Sequence, residues 1–349
     1  MMAEEVPLAV YGGVDTHADV HVAAAVDQVG RVLGTASFPV CEQGYADLLG
    51  WLRGHGGLAR AGVEGTGSYG AGLARYLAAA GVPVLEVTRP DRQRRRRHGK
   101  SDPVDAVSAA MTALRGEDCG TPKAQDGPAE ALRALRAARR GAVKARTQAM
   151  NQLTALVITA PDAVRARLDG LGGKKLATAC TDLPGSGRAG PVAGTVTALA
   201  SIAGRWLDLD AEQARLDDAM AALATSTAPA LLAKKGIGPQ SAAALIITTG
   251  DNPARIRRES GFAALCGVSP VDCSSGKHER HRLNQGGDRQ ANSALWRIVQ
   301  TRLQYDPRTQ AYLDKRTKDG KTRKEITRCL KRYVAREIWK AHIRPATTR

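Results

Sequence analysis

From position 8 to about 115 the apolar residues come in short runs parted by turn formers, and the runs switch between two rhythms. Residues 8–15 (LAVYGGVD) are a nearly unbroken apolar stretch of strand length that ends on an acid, the pattern of a buried strand. Residues 20–27 (VHVAAAVD) and 31–38 (RVLGTASF) predict two more strands, and the Gln28-Val29-Gly30 link between them suits a hairpin. Residues 43–54 change to helical spacing, with Leu48, Leu49 and Leu52 on one face. A strand over 58–63, a helix over 70–80 and a strand over 82–88 follow. Pro103 then stands where the first turn of a helix accepts it, and that helix runs to about Leu114.

Three strands, then helix, strand, helix, strand, helix is the ribonuclease-H-like order, so residues 1–115 are expected to form an α/β domain with a mixed sheet flanked by helices. Residues 116–128 (GEDCGTPKAQDGP) have the composition of a linker. One long helix is predicted from about Ala129 to Thr159, a turn-rich break at 182–191 (DLPGSGRAGP), and a second helix from about Val196 to Ala224. In the second, Leu199, Ile202, Trp206, Leu209, Gln213, Leu216, Met220 and Leu223 recur at alternating steps of three and four, a heptad seam with one polar member. The first carries Leu132, Leu135, Ala142, Ala149, Leu153 and Leu156 on the same rhythm, with Arg139 and Arg146 intruding. An antiparallel hairpin, a coiled coil between subunits and a plain helical bundle all use such seams. Residues 116–228 are therefore assigned to a helical coiled-coil segment, and residues 229–349 to a mainly helical third region.

Composition adds a partner. The 349 residues are 43 % hydrophobic, so the chain has material for real cores. No apolar run approaches the roughly 20 residues of a membrane helix, and a cytoplasmic, nucleoid-associated protein without membrane partners is expected. The six cysteines include no CxxC pair, which argues against a zinc ribbon or a disulfide framework. The net charge of +17 is unevenly spread: Lys277–Arg349 holds 20 Lys/Arg against 7 Asp/Glu, and Arg89–Lys100 holds 7 against 1. A basic loop and a basic tail on a nearly neutral body are the footprint of a polyanion partner. They mark Arg94, Arg95, Arg96, Arg97, Lys100, Lys277, Arg280, Arg282 and Arg289 as nucleic-acid-binding residues. Aromatics are only 4 %, so phosphate contacts rather than base stacking should carry the affinity.

Four acids sit at element ends. Asp15 closes the first strand, Glu64 closes the fourth, and Asp102 and Asp105 open the helix after the basic loop, where i, i+3 spacing puts both on one face. In the expected sheet the first and fourth strands are neighbours, so the four can converge. Phosphodiester chemistry wants such a set, because hard oxygen ligands hold Mg²⁺ and the ion stabilises the attacking and leaving oxygens. A single acid of this kind is more often a surface residue or a helix cap. Further on, residues 235–249 (KGIGPQSAAALIITT) read as a Gly-x-Gly hairpin feeding an apolar helix, which by spacing is equally a turn that offers backbone N–H groups to a DNA phosphate or an ordinary helix N-terminus. Ser274-Ser275-Gly276 lies beside Lys277, His278, Arg280, His281 and Arg282, cations that would lower the cost of an alkoxide. Taken bare, a Ser-Ser-Gly loop is usually only a loop.

Together these residues resemble the transposases of the insertion-sequence family that joins a RuvC-like DEDD domain to a C-terminal serine domain, a family that includes the Piv-type DNA invertases. Gly13-Val14-Asp15, Val63-Glu64-Gly65-Thr66-Gly67 and Lys100-Ser101-Asp102-Pro103-Val104-Asp105-Ala106 look like its acidic motifs. Gly236-Ile237-Gly238, Leu265-Cys266-Gly267-Val268-Ser269-Pro270 and Ser275-Gly276 look like its C-terminal ones. Where the family usually has Ser-Lys-x-Gly after the serine, this chain has Leu283-Asn284-Gln285-Gly286-Gly287-Asp288-Arg289.

The resemblance implies a three-part DNA recombinase. Residues 1–115 would form the metal domain, with Asp15, Glu64, Asp102 and Asp105 as catalytic Mg²⁺ ligands. Residues 229–349 would form the serine domain with its basic tail, and Ser275 would form a phosphoserine link to DNA. Donor and target DNA, a structured guide RNA and further copies of the chain are the implied partners. A RuvC-like metal nuclease of the Holliday-junction-resolvase type would use the acids without Ser275, and a catalytically silent scaffold would use neither site.

Overall fold

A computed structural model describes residues 8–87, 101–117, 119–184, 190–276, 281–282 and 284–344. The apolar runs of the first region become strands β1 (Ala9–Thr16), β2 (Val20–Asp27) and β3 (Val32–Pro39), helix α1 (Glu42–Gly54), strand β4 (Gly57–Glu64), helix α2 (Ala71–Ala79), strand β5 (Val84–Val87) and helix α3 (Asp102–Arg115). The sheet order is β3-β2-β1-β4-β5 with β4 parallel to both β1 and β5, while β2 and β3 run antiparallel. This is a mixed sheet consistent with a RuvC-like fold.

Alternation along the strands sorts residues to the two faces. Val10, Val14, Ala23, Ala25, Ala61 and Val63 share a core with Leu48 and Leu52 of α1 and Leu73 and Leu77 of α2. Val22, Ala24 and Val26 point the other way, onto Ala106, Val107 and Ala110 of α3. At the β2–β3 turn the Asp27 carboxylate accepts the backbone N–H groups of Val29 and Arg31 at 3.0 and 2.8 Å. That acid is used up by its own turn.

The stretch with linker composition contributes an edge strand. Cys119–Gly120 (β6) pairs antiparallel with β5, extending the sheet to β3-β2-β1-β4-β5-β6. A two-residue strand leaves no periodicity, and its Gly- and Pro-rich neighbours hide it. Asn252 then accepts from the backbone of Ala124 and donates to the carbonyl of Pro122, so residues 250–255 pack with this region.

The rest is helical: α4 (Pro128–Ile158), α5 (Asp162–Leu168), α6 (Gly173–Thr181), α7 (Pro191–Thr227), α8 (Pro229–Leu232), α9 (Pro239–Thr249), α10 (Glu259–Leu265), α11 (Arg289–Tyr305), α12 (Pro307–Lys318) and α13 (Arg323–Ile338). A small hairpin of β7 (Val271–Asp272) and β8 (His281–Arg282) lies between α10 and α11. Helices α5 and α6 are not foreseen by the sequence pattern, because seven- and nine-residue helices beside Gly170, Gly172 and Gly173 are too short to print a rhythm.

Helices α4 and α7 pair, but not along one continuous apolar seam. Ala149 and Leu153 pack with Val196, Leu199, Ala203 and Trp206, together with α5 and α6. Ala129 and Leu132 pack with Met220 and Ala224 in a second core. Leu209 and Leu216 belong to neither core and are half-buried. Between the cores the arginines that interrupt the α4 seam find acids: Arg139 bonds both oxygens of Asp217, and Arg146 bonds Asp210.

The chain divides into two compact units rather than the three sequence segments: Met1–Gly127 with Gly250–Arg255, and Pro128–Thr249 with Ile256–Arg349. The reason is the second core, which joins the base of α4 and α7 to Leu245 and Phe262, Ile298, Leu330 and Ile338. Much of the basic C-terminal segment is folded in: Ile326, Leu330, Val334, Ala335 and Ile338 of α13 are core residues, and of its cations only Lys331 is buried with them. Among the described residues no helix is long and apolar enough to cross a membrane.

Candidate active site

Strand parity builds the acidic cluster. Gly13 of β1 stands beside Gly62 of β4 on the face that meets α3. A Cβ on Gly13 would lie 2.0 Å from the Ala110 nitrogen and 2.3 Å from the Ala106 carbonyl oxygen, and one on Gly62 would lie 2.6 Å from the Ala109 carbonyl oxygen. Hydrogen in place of a side chain lets the helix backbone rest directly on the strands. The next residues on the same face are Asp15 and Glu64, at the ends of their strands. The first turn of α3 brings Asp102 and Asp105, with Asp105 buried and Asp102 exposed. Asp105 falls on the same helical stripe as Ala109 and Ala113, and Gly116 ends the helix in the left-handed region.

The carboxyl of Asp15 is nearly buried, and the Glu64 carboxyl is among the groups that act on it. Burial pushes its pKa up, His17 pulls it down, and the charges of Asp105 and Asp102 push it up again. His17, which is not among the residues the sequence motifs mark, places Nε2 3.2 Å from Asp15 Oδ2 and 3.4 Å from Asp102 Oδ1. Its signal in the sequence is only that it lies two residues beyond Asp15. Ligand atoms of Asp15, His17 and Asp102 all lie within 4.8 Å of one another. Acids that raise the pKa of a buried Asp15 and that offer hard oxygen donors fit a divalent cation.

Ser275 lies in the other compact unit, on the exposed loop of the β7–β8 hairpin. Its neighbour Ser274 is engaged locally, donating its hydroxyl (2.5 Å) and backbone N–H (2.8 Å) to Asp272 Oδ1. Those two bonds hold the Asp272 carboxyl below the usual carboxylate range. Arg282 on β8 and Arg289 in the first turn of α11 are exposed. Arg94, Arg95, Arg96, Arg97, Lys100, Lys277 and Arg280 lie outside the described residues. Asn284 is a loop brace, its carboxamide bonding Gly286 N and Ala264 O. Asp288 caps α11 and accepts Thr248 of α9 at 2.8 Å.

Two family models match this chain: the DEDD transposase domain of IS110 elements over residues 12–160, and the transposases of the IS116/IS110/IS902 family over residues 228–314. Over both stretches the chain is similar to transposases of the IS110 family. The first match contains all four acids and His17, and the second contains Ser275. An uncharacterized 43.6 kDa protein of insertion element IS110 from Streptomyces coelicolor is 31 % identical over 96 residues, 27 % of this chain and 23 % of that relative. The match thus spans about a quarter of the relative's length. The match to a DEDD transposase domain implies divalent metal binding.

Proposed function

We propose that this chain is a DNA transposase that cuts and rejoins strands through a phosphoserine link, with Ser275 as nucleophile and Asp15, Glu64, Asp102 and Asp105 holding Mg²⁺. The observation that supports it best is the meeting of Asp15, His17 and Asp102 at one end of the sheet in a chain similar to IS110-family transposases. Mg²⁺ held by these acids would orient the scissile phosphate and neutralise its developing charge. His17 positions the Asp15 and Asp102 carboxylates. The Ser275 oxygen attacks phosphorus: the O–P bond to serine forms, the bond to the leaving deoxyribose oxygen breaks, and the serine's proton ends on that oxygen. In the second half a deoxyribose hydroxyl attacks the phosphoserine and its proton returns to Ser275. The number of phosphoester bonds is unchanged, so rejoining needs no ATP. Donor and target DNA are the substrates, a structured RNA is the guide, and strand exchange between two DNAs calls for a homo-oligomer, a dimer or tetramer.

Denaturing gels of protein incubated with labelled element-end DNA and Mg²⁺ test the reading. Ser275→Ala should abolish the covalent protein–DNA adduct and retain DNA binding. Asp102→Asn should also abolish the adduct, while Ser274→Ala should cost much less. That the four acids all belong to the first unit favours one second reading, a RuvC-like metal nuclease. That reading replaces the first if Ser275→Ala still cleaves and no adduct forms in the unaltered protein. Loss of adduct in Ser274→Ala alone would move the nucleophile by one residue.

A further inference from the structure

Lys331 of α13 is only 7 % exposed, yet no carboxylate lies within ion-pair distance of its ammonium among the described residues. Its Nζ donates to Asn292 Oδ1 at 2.8 Å. Asn292 is held by its own Nδ2, which donates to the carbonyls of Cys266 and Gly267 at 3.0 Å each, so a neutral oxygen is fixed toward the lysine. Burial, and then the charge of another cation, Arg328, lower the pKa of Lys331. A buried ammonium with one neutral partner is costly and has donors to spare.

Lys331 lines a cavity of about 660 Å³ in the second unit. Its walls include the Gly267–Pro270 turn, Cys273 and Arg282 of the serine hairpin, and Arg316 and Lys321 at the α12–α13 junction. The acids nearby are already taken. Glu259 pairs with Arg332, Asp319 with Arg316, and Glu325 Oε2 accepts the Thr322 backbone N–H and hydroxyl, each at 2.8 Å. Arg282, Lys321 and Arg328 are exposed and have no ion pair within 4 Å among the described residues, although Lys321 and Arg328 act on the Glu325 carboxylate that shares the wall. An open cavity with cations along its walls and a buried cation at its floor suits an extended polyanion rather than one small acid. Cys273 on the wall is two residues from Ser275.

We propose that this cavity is a backbone-phosphate site for the DNA strand that passes the Ser275 loop, with one phosphodiester seated on Lys331 and its neighbours on Arg282 and Arg328. The proposal rests on the transposase reading, but its test does not pass through the serine chemistry. Cys273 and Cys329 line the cavity and are exposed and free, as is Cys41 in the first unit. In the full-length protein, a short mixed-sequence duplex should slow maleimide labelling of Cys273 and Cys329 and leave Cys41 unchanged. Lys331→Met should weaken binding of that duplex about tenfold and lower the salt slope by about one unit. Its Tm should change little, because the buried charge it removes and the Asn292 Oδ1 acceptor it leaves unpaired act in opposite directions. Exposed Arg328→Gln should lower the slope likewise. Ser275→Ala should keep both the protection and the affinity, so failure of the serine mechanism would leave these results standing. Unprotected cysteines, or wild-type affinity and slope in both cation variants, would overturn the proposal. Equal protection by poly-glutamate at the same charge concentration would overturn it in favour of an acidic protein partner.

Discussion

At the scale of single residues, Gly13 and Gly62 decide whether the acids can meet. With no Cβ they let the backbone of α3 lie directly on β1 and β4, and that approach carries Asp102 and Asp105 to the ends of the strands bearing Asp15 and Glu64. Gly13→Ala should therefore destabilise the first unit by about 1–3 kcal/mol through overpacking against helix backbone. It should weaken Mg²⁺-dependent activity as well. Gly67 has nothing within 4 Å of an added Cβ, so Gly67→Ala serves as a control that should leave Tm nearly unchanged. Differential scanning calorimetry compares the two, and equal Tm values would mean that α3 has room to move.

At the scale of elements, the α4–α7 pair has an apolar core at each end and ions in the middle. Arg139–Asp217 and Arg146–Asp210 repeat at seven-residue steps on both helices, so they lock an antiparallel register. Arg146 also lies over the Trp206 ring, 5.6 Å from its centroid. Half-buried pairs of this kind cost more to break from one side than to replace whole. Asp210→Leu alone should lower stability by about 1–3 kcal/mol because it strands Arg146. Arg146→Met with Asp210→Leu should recover most of that loss, as read by urea unfolding of a double-mutant cycle. Strict additivity would mean the pair contributes no coupling.

At the scale of the whole molecule, the excess charge is concentrated in two segments, the loop Arg89–Lys100 and the C-terminal region from Lys277. The structure folds much of the second into α11, α12 and α13, whose apolar faces pack into core while most of the cations, Lys331 excepted, stay outward. Replacing Arg94–Arg97 together with Gln should weaken DNA binding. It should also flatten the plot of log K against log salt by about one unit for each phosphate that is no longer neutralised. Filter binding at several salt concentrations measures it. An unchanged slope would assign those arginines to the solvated surface.

Much of this is legible in the chain. Strand runs and helical spacing are local consequences of which side chains must leave water, so β1 to β5 and α1 to α4 can be read one segment at a time. The acids at the strand ends are visible for the same reason, as are the broken seam on α4 and the crowding of charge. Three features need tertiary structure, because each depends on residues far apart in sequence. His17 joins the acidic cluster only once Asp102 is folded onto the end of β1. Arg139 and Arg146 read as flaws in a seam until Asp217 and Asp210 come opposite them. Lys331 is one cation among many in a basic segment, and what sets it apart is burial without an acid, a property of its surroundings and not of its place in the chain.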